Sequence, residues 1–230
     1  MSTPLAIVGH GKMGRLIEEL AGEFDFEVRA RFRSADIDSV SAATLDGART
    51  AMEFSTPQAA PRNLMRLASL GVNTVCGTTG WLEHLPEVSD AVTRAGTALV
   101  WSANFSLGVN VFLQTVARAA AFFAKYEEYD AWGWEIHHSA KKDAPSGTLA
   151  KLAEEIRNSG YKRPLTLAAN RAGAHPGTHE IGFDSAADTI TLRHTARSRE
   201  GFARGALRAA RWIAGKTGVY EFREILDELS

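Results

Sequence analysis

The residues Leu5-Ala6-Ile7-Val8 form a continuous apolar run that feeds directly into Gly9-His10-Gly11-Lys12-Met13-Gly14. A run without polar alternation marks a strand buried on both faces, as in a parallel sheet. Beyond the glycines, Met13, Leu16, Ile17 and Leu20 fall on one face of a helix. Strand, G-x-G-x-x-G and helix in that order commit a chain to a βαβ unit. Its glycine-lined turn and helix N-terminus suit the pyrophosphate of a dinucleotide. The glycine pattern alone fits a plain turn as well; its placement favours the ligand-binding reading.

The following segments repeat the rhythm. Strands are expected at residues 26–32, 50–54, 73–76 and 97–101, with helices running through Asn63, Leu64, Leu67 and Leu70 and over 83–95. Such alternation builds a doubly wound parallel sheet that binds ligands at the carboxyl ends of its strands. Those ends carry Ser55-Thr56-Pro57, Gly77-Thr78-Thr79-Gly80 and Ser102-Ala103-Asn104-Phe105. A carboxylate at the tip of the second strand would select NAD, but the chain reads Arg29-Ala30-Arg31-Phe32-Arg33 and has no acid until Asp36. These guanidinium groups, Arg33 foremost, either meet a 2′-phosphate or form a solvated edge. The cofactor is NADPH or NADH, with NADPH favoured.

Bulk properties narrow the function further. The 230 residues carry a net charge of −1, which suggests neither a nucleic-acid nor a membrane partner. The longest apolar stretch, near residues 116–123, is interrupted by Arg118 and is too short to span a bilayer. The first residues lack a basic region and run straight into a strand, so no signal peptide is expected. Cys76 is the single cysteine, and a reducing cytoplasm fits best.

After Phe105 the pattern changes. An apolar helix is expected over 109–124, then a strand in which Trp132, Trp134 and Ile136 alternate with Gly133, Glu135 and His137. On that period His137 and His138 leave the strand on opposite sides. The loop continues as Ser139-Ala140-Lys141-Lys142-Asp143-Ala144-Pro145-Ser146-Gly147-Thr148. Pro145 pre-sets a helix entry, and Ser146 or Thr148 caps a helix running through Leu152, Ala153 and Ile156. The N–H groups of Ser146, Gly147 and Thr148 are then expected as unpaired donors at a positive helix end, a seat for a carboxylate or phosphate. With Lys141 at its lip and imidazoles upstream, the stretch describes a site for a small carboxylate. Strands at 178–183 and 189–195, read as antiparallel, make this part α+β. Helices over 202–214 and 222–229 close the chain. The expected fold is α/β: a Rossmann-type doubly wound sheet over 1–105 with 200–230, plus a smaller α+β domain over 106–199.

The motifs together resemble the 4-hydroxy-tetrahydrodipicolinate reductase (dihydrodipicolinate reductase) family of lysine and diaminopimelate biosynthesis. The resemblance spans nearly the whole chain. It rests first on Glu135-Ile136-His137-His138, Lys141 and Asp143-Ala144-Pro145-Ser146-Gly147-Thr148. Supporting matches are Glu53-Phe54-Ser55-Thr56-Pro57, Gly77-Thr78-Thr79-Gly80, Asn104-Phe105-Ser106 with Gly108-Val109-Asn110, and the late His194, Arg199, Phe202-Ala203 and Gly205-Ala206. It implies reduction of a cyclic imine dicarboxylate by NADH or NADPH with loss of water. It makes His137 a proton donor and Lys141 a second donor and charge partner. His138 would touch substrate, and Gly147 and Thr148, with Ser146, would hold a carboxylate. Gly9 to Gly14, Gly77 to Thr79 and Ser102 to Phe105 would line the cofactor, with Arg199 and Phe202 closing over it. No metal is expected, and Asp143 is read as a loop or cap residue. The chain departs from the family pattern in a glycine loop one residue tighter than G-x-x-G-x-M-G and in the short acid-free stretch after Arg33.

Two other readings remain at this stage: a related small-substrate dehydrogenase sharing the nucleotide-binding half, and a non-catalytic NAD(P)H sensor. The resemblance also implies a homotetramer built through the sheet of the second domain, with a dimer open as the alternative.

Overall fold

The computed structural model describes residues 2–229, which divide into two units, residues 2–107 with 200–229 and residues 108–199. The elements of the first part are β1 (Thr3–Val8), α1 (Lys12–Ala21), β2 (Phe26–Phe32), β3 (Thr50–Glu53), α2 (Ala60–Ser69), β4 (Asn73–Cys76), α3 (Leu85–Ala95) and β5 (Ala98–Trp101). Then follow α4 (Leu107–Phe123), β6 (Asp130–His137), α5 (Gly147–Asn158), β7 (Leu165–Arg171), β8 (Thr178–Asp184), β9 (Thr189–Thr195), α6 (Glu200–Trp212) and β10 (Gly218–Glu221).

In the first unit six parallel strands form one sheet in the order β10-β5-β4-β3-β1-β2. Strands buried on both faces need continuous apolar runs, and Leu5, Ala6, Ile7 and Val8 are fully buried. α1 and α6 cover one face, where Ile17, Leu207 and Ile213 pack on Ile7 and Val100. On the other side α2 and α3 bury Leu64, Val88 and Val92 with Trp81 and Leu99. The strand order reverses between β1 and β3, so the glycine loop emerges at the switch point. Gly9 is obligatory there: its φ is +93°, and a Cβ would lie 2.2 Å from the Phe54 carbonyl oxygen.

β10 was not anticipated, because four residues between Thr217 and Phe222 carry too little pattern to mark a strand. Residues Phe222–Glu228 form a 3₁₀ helix, not an α-helix, and bury Phe222, Ile225 and Leu226.

The second unit holds a four-stranded sheet in the order β7-β6-β8-β9. It is mixed. β6 pairs with β8 and β8 with β9 antiparallel, but β6 and β7 are parallel with α5 as the crossover. The two helices pack on a single sheet face, through Val109, Phe112 and Val116 of α4 and Leu149, Leu152 and Ile156 of α5.

The buried face of β6 is the opposite of what its apolar side chains suggest. Ala131, Gly133, Glu135 and His137 point into the unit, while Trp132, Trp134 and Ile136 are half-exposed on the far side. The inversion has a steric cause at its centre. Beneath Gly133 a Cβ would lie 2.8 Å from Leu167 Cδ2 and 3.1 Å from Ile181 Cδ1, so the core closes directly onto the strand backbone.

Candidate active site

β1, β3, β4 and β5 run parallel, so the loops after them open on one edge of the first sheet. The N-cap of α1 is Gly11, with no side-chain cap and no acid in the first turn. A Cβ built on Gly11 would meet nothing within 4 Å. An uncapped helix end with open space before it fits a pyrophosphate. Gly14 is buried, Gly9 and Met13 are half-buried, and Lys12 is exposed. His10 Nε2 lies 2.5 Å from Glu18, which also receives Arg31 at 2.7 Å.

The arginines in and just after β2 already hold carboxylates: Arg29 pairs with Glu27, Arg31 with Glu18 and Arg33 with Asp36. Arg33 keeps 83% of its side chain exposed. Of the remaining nucleotide-edge residues, Thr79 and Ala103 are exposed, and Gly77 and Asn104 are half-buried. Ser102 is buried and bonds within its own loop through the Asn104 N–H at 3.0 Å. The Phe105 side chain is a core residue whose ring lies 4.8 Å from that of Phe222. Arg199 is exposed just before α6, and Phe202 is half-buried in its first turn.

Thr78 is turned inward toward a residue that the sequence did not single out for this role. Glu53 is fully buried and receives Thr78 Oγ1 at 2.6 Å, Asn63 Nδ2 at 3.0 Å and the Cys76 thiol at 3.3 Å. Thr78 Oγ1 in turn accepts the Ser55 N–H at 2.8 Å. Glu53 therefore ties the loops after β3 and β4 together. Burial, reinforced by this carboxylate, pushes the Cys76 thiol well up and makes it a poor nucleophile.

In the second unit β6 delivers Glu135 and His137 to one side, two residues apart, and both are buried. Ser146 caps α5 by accepting the Leu149 N–H at 3.2 Å. Pro145 precedes that cap, outside the helix. The Ser146 N–H is not a free donor as the sequence suggested. It donates to Glu135 Oε1 at 2.8 Å, the Ser146 hydroxyl donates to Oε2, and the side chain is 2% exposed. The carboxylate also receives Arg171 Nη2 at 2.8 Å and lies 3.3 Å from His179 Nε2. Ser146 thus anchors the helix end rather than facing a ligand. The rest of the helix end is Gly147 and Thr148, and a Cβ on Gly147 would meet nothing within 4 Å.

Lys141 Nζ lies 2.8 Å from the Asp143 carboxylate, which also accepts the Gly147 N–H. An internal carboxylate therefore engages the lysine and helix end that the motif assigns to a substrate carboxylate. The Lys141 hydrogen bond, with the Gly147 N–H adding to it, holds Asp143 below the usual carboxylate range. Burial raises the Glu135 carboxyl, but Ser146 and Arg171 outweigh it and leave the group below its ordinary value. Burial pushes His137 down; Glu135 opposes this, whereas Lys141 and Arg171 add to it. His179 falls to about 4, chiefly through burial and then through the neighbouring His137. His138, just past the strand, is half-buried.

Glu135, His137 and His179 are also the one group of His, Cys, Asp and Glu among the described residues whose ligand atoms gather within 4.8 Å. Both Glu135 oxygens are already committed to Ser146, Arg171 and His179, so the cluster is a polar network built around the Glu135–Arg171 ion pair. Arg171 and His179 were missed in the sequence. Glu135 was legible only as part of a motif, although its i, i+2 spacing to His137 places both on one face. His179 faces Glu135 in the β6–β8 register, a pairing that no local pattern marks.

Fold and site together define a Rossmann-type NAD(P)H-dependent oxidoreductase carrying a separate α+β unit. Comparison with known proteins narrows the class. The model of the dihydrodipicolinate reductase N-terminus matches residues 3–105, and that of its C-terminus matches residues 108–226. A 4-hydroxy-tetrahydrodipicolinate reductase of Christiangramia forsetii is 34% identical, with 98% of each chain covered. One of Bdellovibrio bacteriovorus is 32% identical over 94% of this chain and 93% of its own. The dipicolinate-bound dihydrodipicolinate reductase of Paenisporosarcina sp. TG-14 has the same fold, with a TM-score of 0.83, 21% identity, and 98% of this chain and 100% of that one covered. The chain belongs to the dihydrodipicolinate reductase family.

Proposed function

We propose that this chain reduces 4-hydroxy-tetrahydrodipicolinate to tetrahydrodipicolinate with NADPH or NADH, releasing water, in lysine and diaminopimelate biosynthesis. One observation carries the reading beyond family membership: a buried imidazole, His137, follows a buried carboxylate and precedes a lysine and a helix N-terminus, at Gly147 and Thr148, that already hold an internal carboxylate, Asp143. Residues 1–105 with 200–230 hold the nucleotide, and residues 106–199 hold the substrate.

A bound nicotinamide supplies the hydride. Negative charge then develops on the conjugated ring and must be taken up by a proton at carbon. Burial lowers the proton affinity of the His137 imidazole, so that its protonated form is a stronger acid toward the ring carbon. Lys141 exchanges Asp143 for a substrate carboxylate and stabilises the developing charge, serving also as a second donor. Gly147 and Thr148 direct backbone N–H groups at that carboxylate, and His138 contacts the ring substituents. Arg33, largely exposed at the end of β2, favours NADPH by offering a guanidinium to the 2′-phosphate.

No helix among the described residues is long and apolar enough to cross a membrane, and we place the enzyme in the cytoplasm. It assembles as a homotetramer through the sheet face bearing Trp132 and Trp134, which neither α4 nor α5 covers. Sedimentation of the purified chain reads that state. The reaction is tested by following NAD(P)H absorbance with substrate generated from pyruvate and aspartate semialdehyde. Turnover with either nucleotide supports the proposal; tight nucleotide binding without turnover refutes it and leaves a sensor.

A further inference from the structure

His137, Lys141, Gly147 and Thr148 leave one densely bonded side chain of the second unit without a role. Glu135 is 0% exposed and lies at the centre of four elements. It sits on β6 itself. It takes the N–H and hydroxyl of Ser146, the cap of α5, accepts Arg171 from β7, and lies 3.3 Å from His179 of β8. Its Oε2 also stands 3.7 Å from His137 Nδ1, within ion-pair range but beyond a hydrogen bond. Among the described residues that nitrogen has no hydrogen-bond partner. A buried carboxylate is costly unless its partners need it, and Arg171 alone would neutralise this one.

We propose that Glu135 is a positioning residue that sets the proton affinity of His137 through space while fixing the helix end at Gly147 and Thr148 through Ser146. One side chain then ties the proton donor to the carboxylate seat. The inference rests on the reading of His137 as the donor. Its geometry separates the two roles: Oε1 meets the Ser146 N–H and Arg171, whereas Oε2 faces the two imidazoles and the Ser146 hydroxyl.

The charged groups around His137 come from every neighbouring element. Glu135 contributes from β6, Arg171 from β7 and His179 from β8, with ring centroids 5.0 Å apart. Lys141 and Asp143 contribute from the loop. Glu135 and Asp143 raise the imidazole, Lys141 and Arg171 lower it, and burial lowers it most. Asp143 is exposed and engaged with Lys141, so Glu135 is the buried counterweight. It is flanked by a residue of opposite effect, and this gives a test with two signs.

The readout is the His137 titration, followed by ¹⁵N NMR of the histidine-labelled full chain without ligands and assigned by the resonance missing in His137→Gln. Glu135→Gln keeps the shape and removes the charge, so the His137 pKa is expected to fall by about one to two pH units. Arg171→Gln is expected to raise it. Glu135→Asp retains the charge and should bring the pKa back toward that of the unaltered chain. Turnover, which is lost as pH rises through the donor's pKa, should lose its alkaline limb at lower pH in Glu135→Gln and at higher pH in Arg171→Gln.

An unmoved His137 titration in folded Glu135→Gln overturns the proposal, as does Glu135→Asp shifting as far as Glu135→Gln. Should neither charge-removing variant fold, the unaltered chain decides: the carboxylate favours a proton on Nδ1 of neutral His137, and an Nε2–H tautomer overturns it. A His137 titration that moves without the activity limb following leaves Glu135 in place and refutes His137 as the donor.

Discussion

Replacing Ser146 with alanine separates two roles that the residue could have, scaffold or ligand contact. The hydroxyl caps α5 through the Leu149 N–H, and such a cap is worth about 1 kcal/mol. The same hydroxyl donates to the fully buried Glu135 carboxylate, and losing a hydrogen bond to a charged group costs about 1.5–3 kcal/mol. No water replaces it at a side chain only 2% exposed. Ser146→Ala should therefore destabilise the chain by roughly 3 kcal/mol. For a chain of this length that is a fall of about 10 °C in Tm. Differential scanning calorimetry measures it, and the coupled assay on the same samples measures KM. A lowered Tm with a raised KM is the expected pair, since the helix end that holds the carboxylate loosens with its anchor. A raised KM at an unchanged Tm would refute the reasoning and return Ser146 to the role of a direct substrate contact.

Three further outcomes follow from the same geometry. Arg33→Ala should lower kcat/KM for NADPH by about tenfold and leave NADH nearly unchanged, because a phosphate loses a charge-assisted bond worth about 1.5 kcal/mol; equal losses with both nucleotides would deny Arg33 that role. Asp143→Asn frees Lys141 and the Gly147 N–H from an internal competitor. Since an exposed pair is worth at most about 1 kcal/mol, KM should fall by roughly two- to fivefold with kcat little changed. Stability should decline on acidification. His179 is depressed to about 4 when folded, so the unfolded chain binds its proton first and stability is lost as pH falls from about 6.5 toward 4. Glu135, also depressed, adds a loss at still lower pH as it protonates. A Tm that stays flat from pH 7 to 4 would contradict the first, and one that stays flat on further acidification would contradict the second.

The chain wrote its first unit plainly. Leu5 to Val8 and the glycines after them have few structural alternatives, and four more strands followed from short apolar runs closed by polar loops. β10 escaped because a four-residue strand at a sheet edge carries almost no pattern, and its position comes from pairing with β5. The second unit was less legible where tertiary contacts override the local period. Trp132, Trp134 and Ile136 look like the core face of β6, yet the buried face holds Gly133, Glu135 and His137. No scale of hydrophobicity ranks a glutamate inside; it is stable there only because Ser146, Arg171 and His179 arrive from three other elements. The motif around His137 and Lys141 was readable as chemistry, since its members are close in sequence. Arg171 and His179 lie more than thirty residues downstream and join it only through strand register. Ser146 shows the same limit in reverse: its capping role was visible, but its N–H belongs to a carboxylate eleven residues upstream.

The most direct test of the account is the kinetics of His137→Gln beside the unaltered chain, with nucleotide affinity measured separately by fluorescence titration. The account predicts that kcat falls by about 10²- to 10⁴-fold, the range for a lost general acid, while the Kd for NADPH and NADH stays unchanged. Full turnover in His137→Gln would contradict the account at its centre.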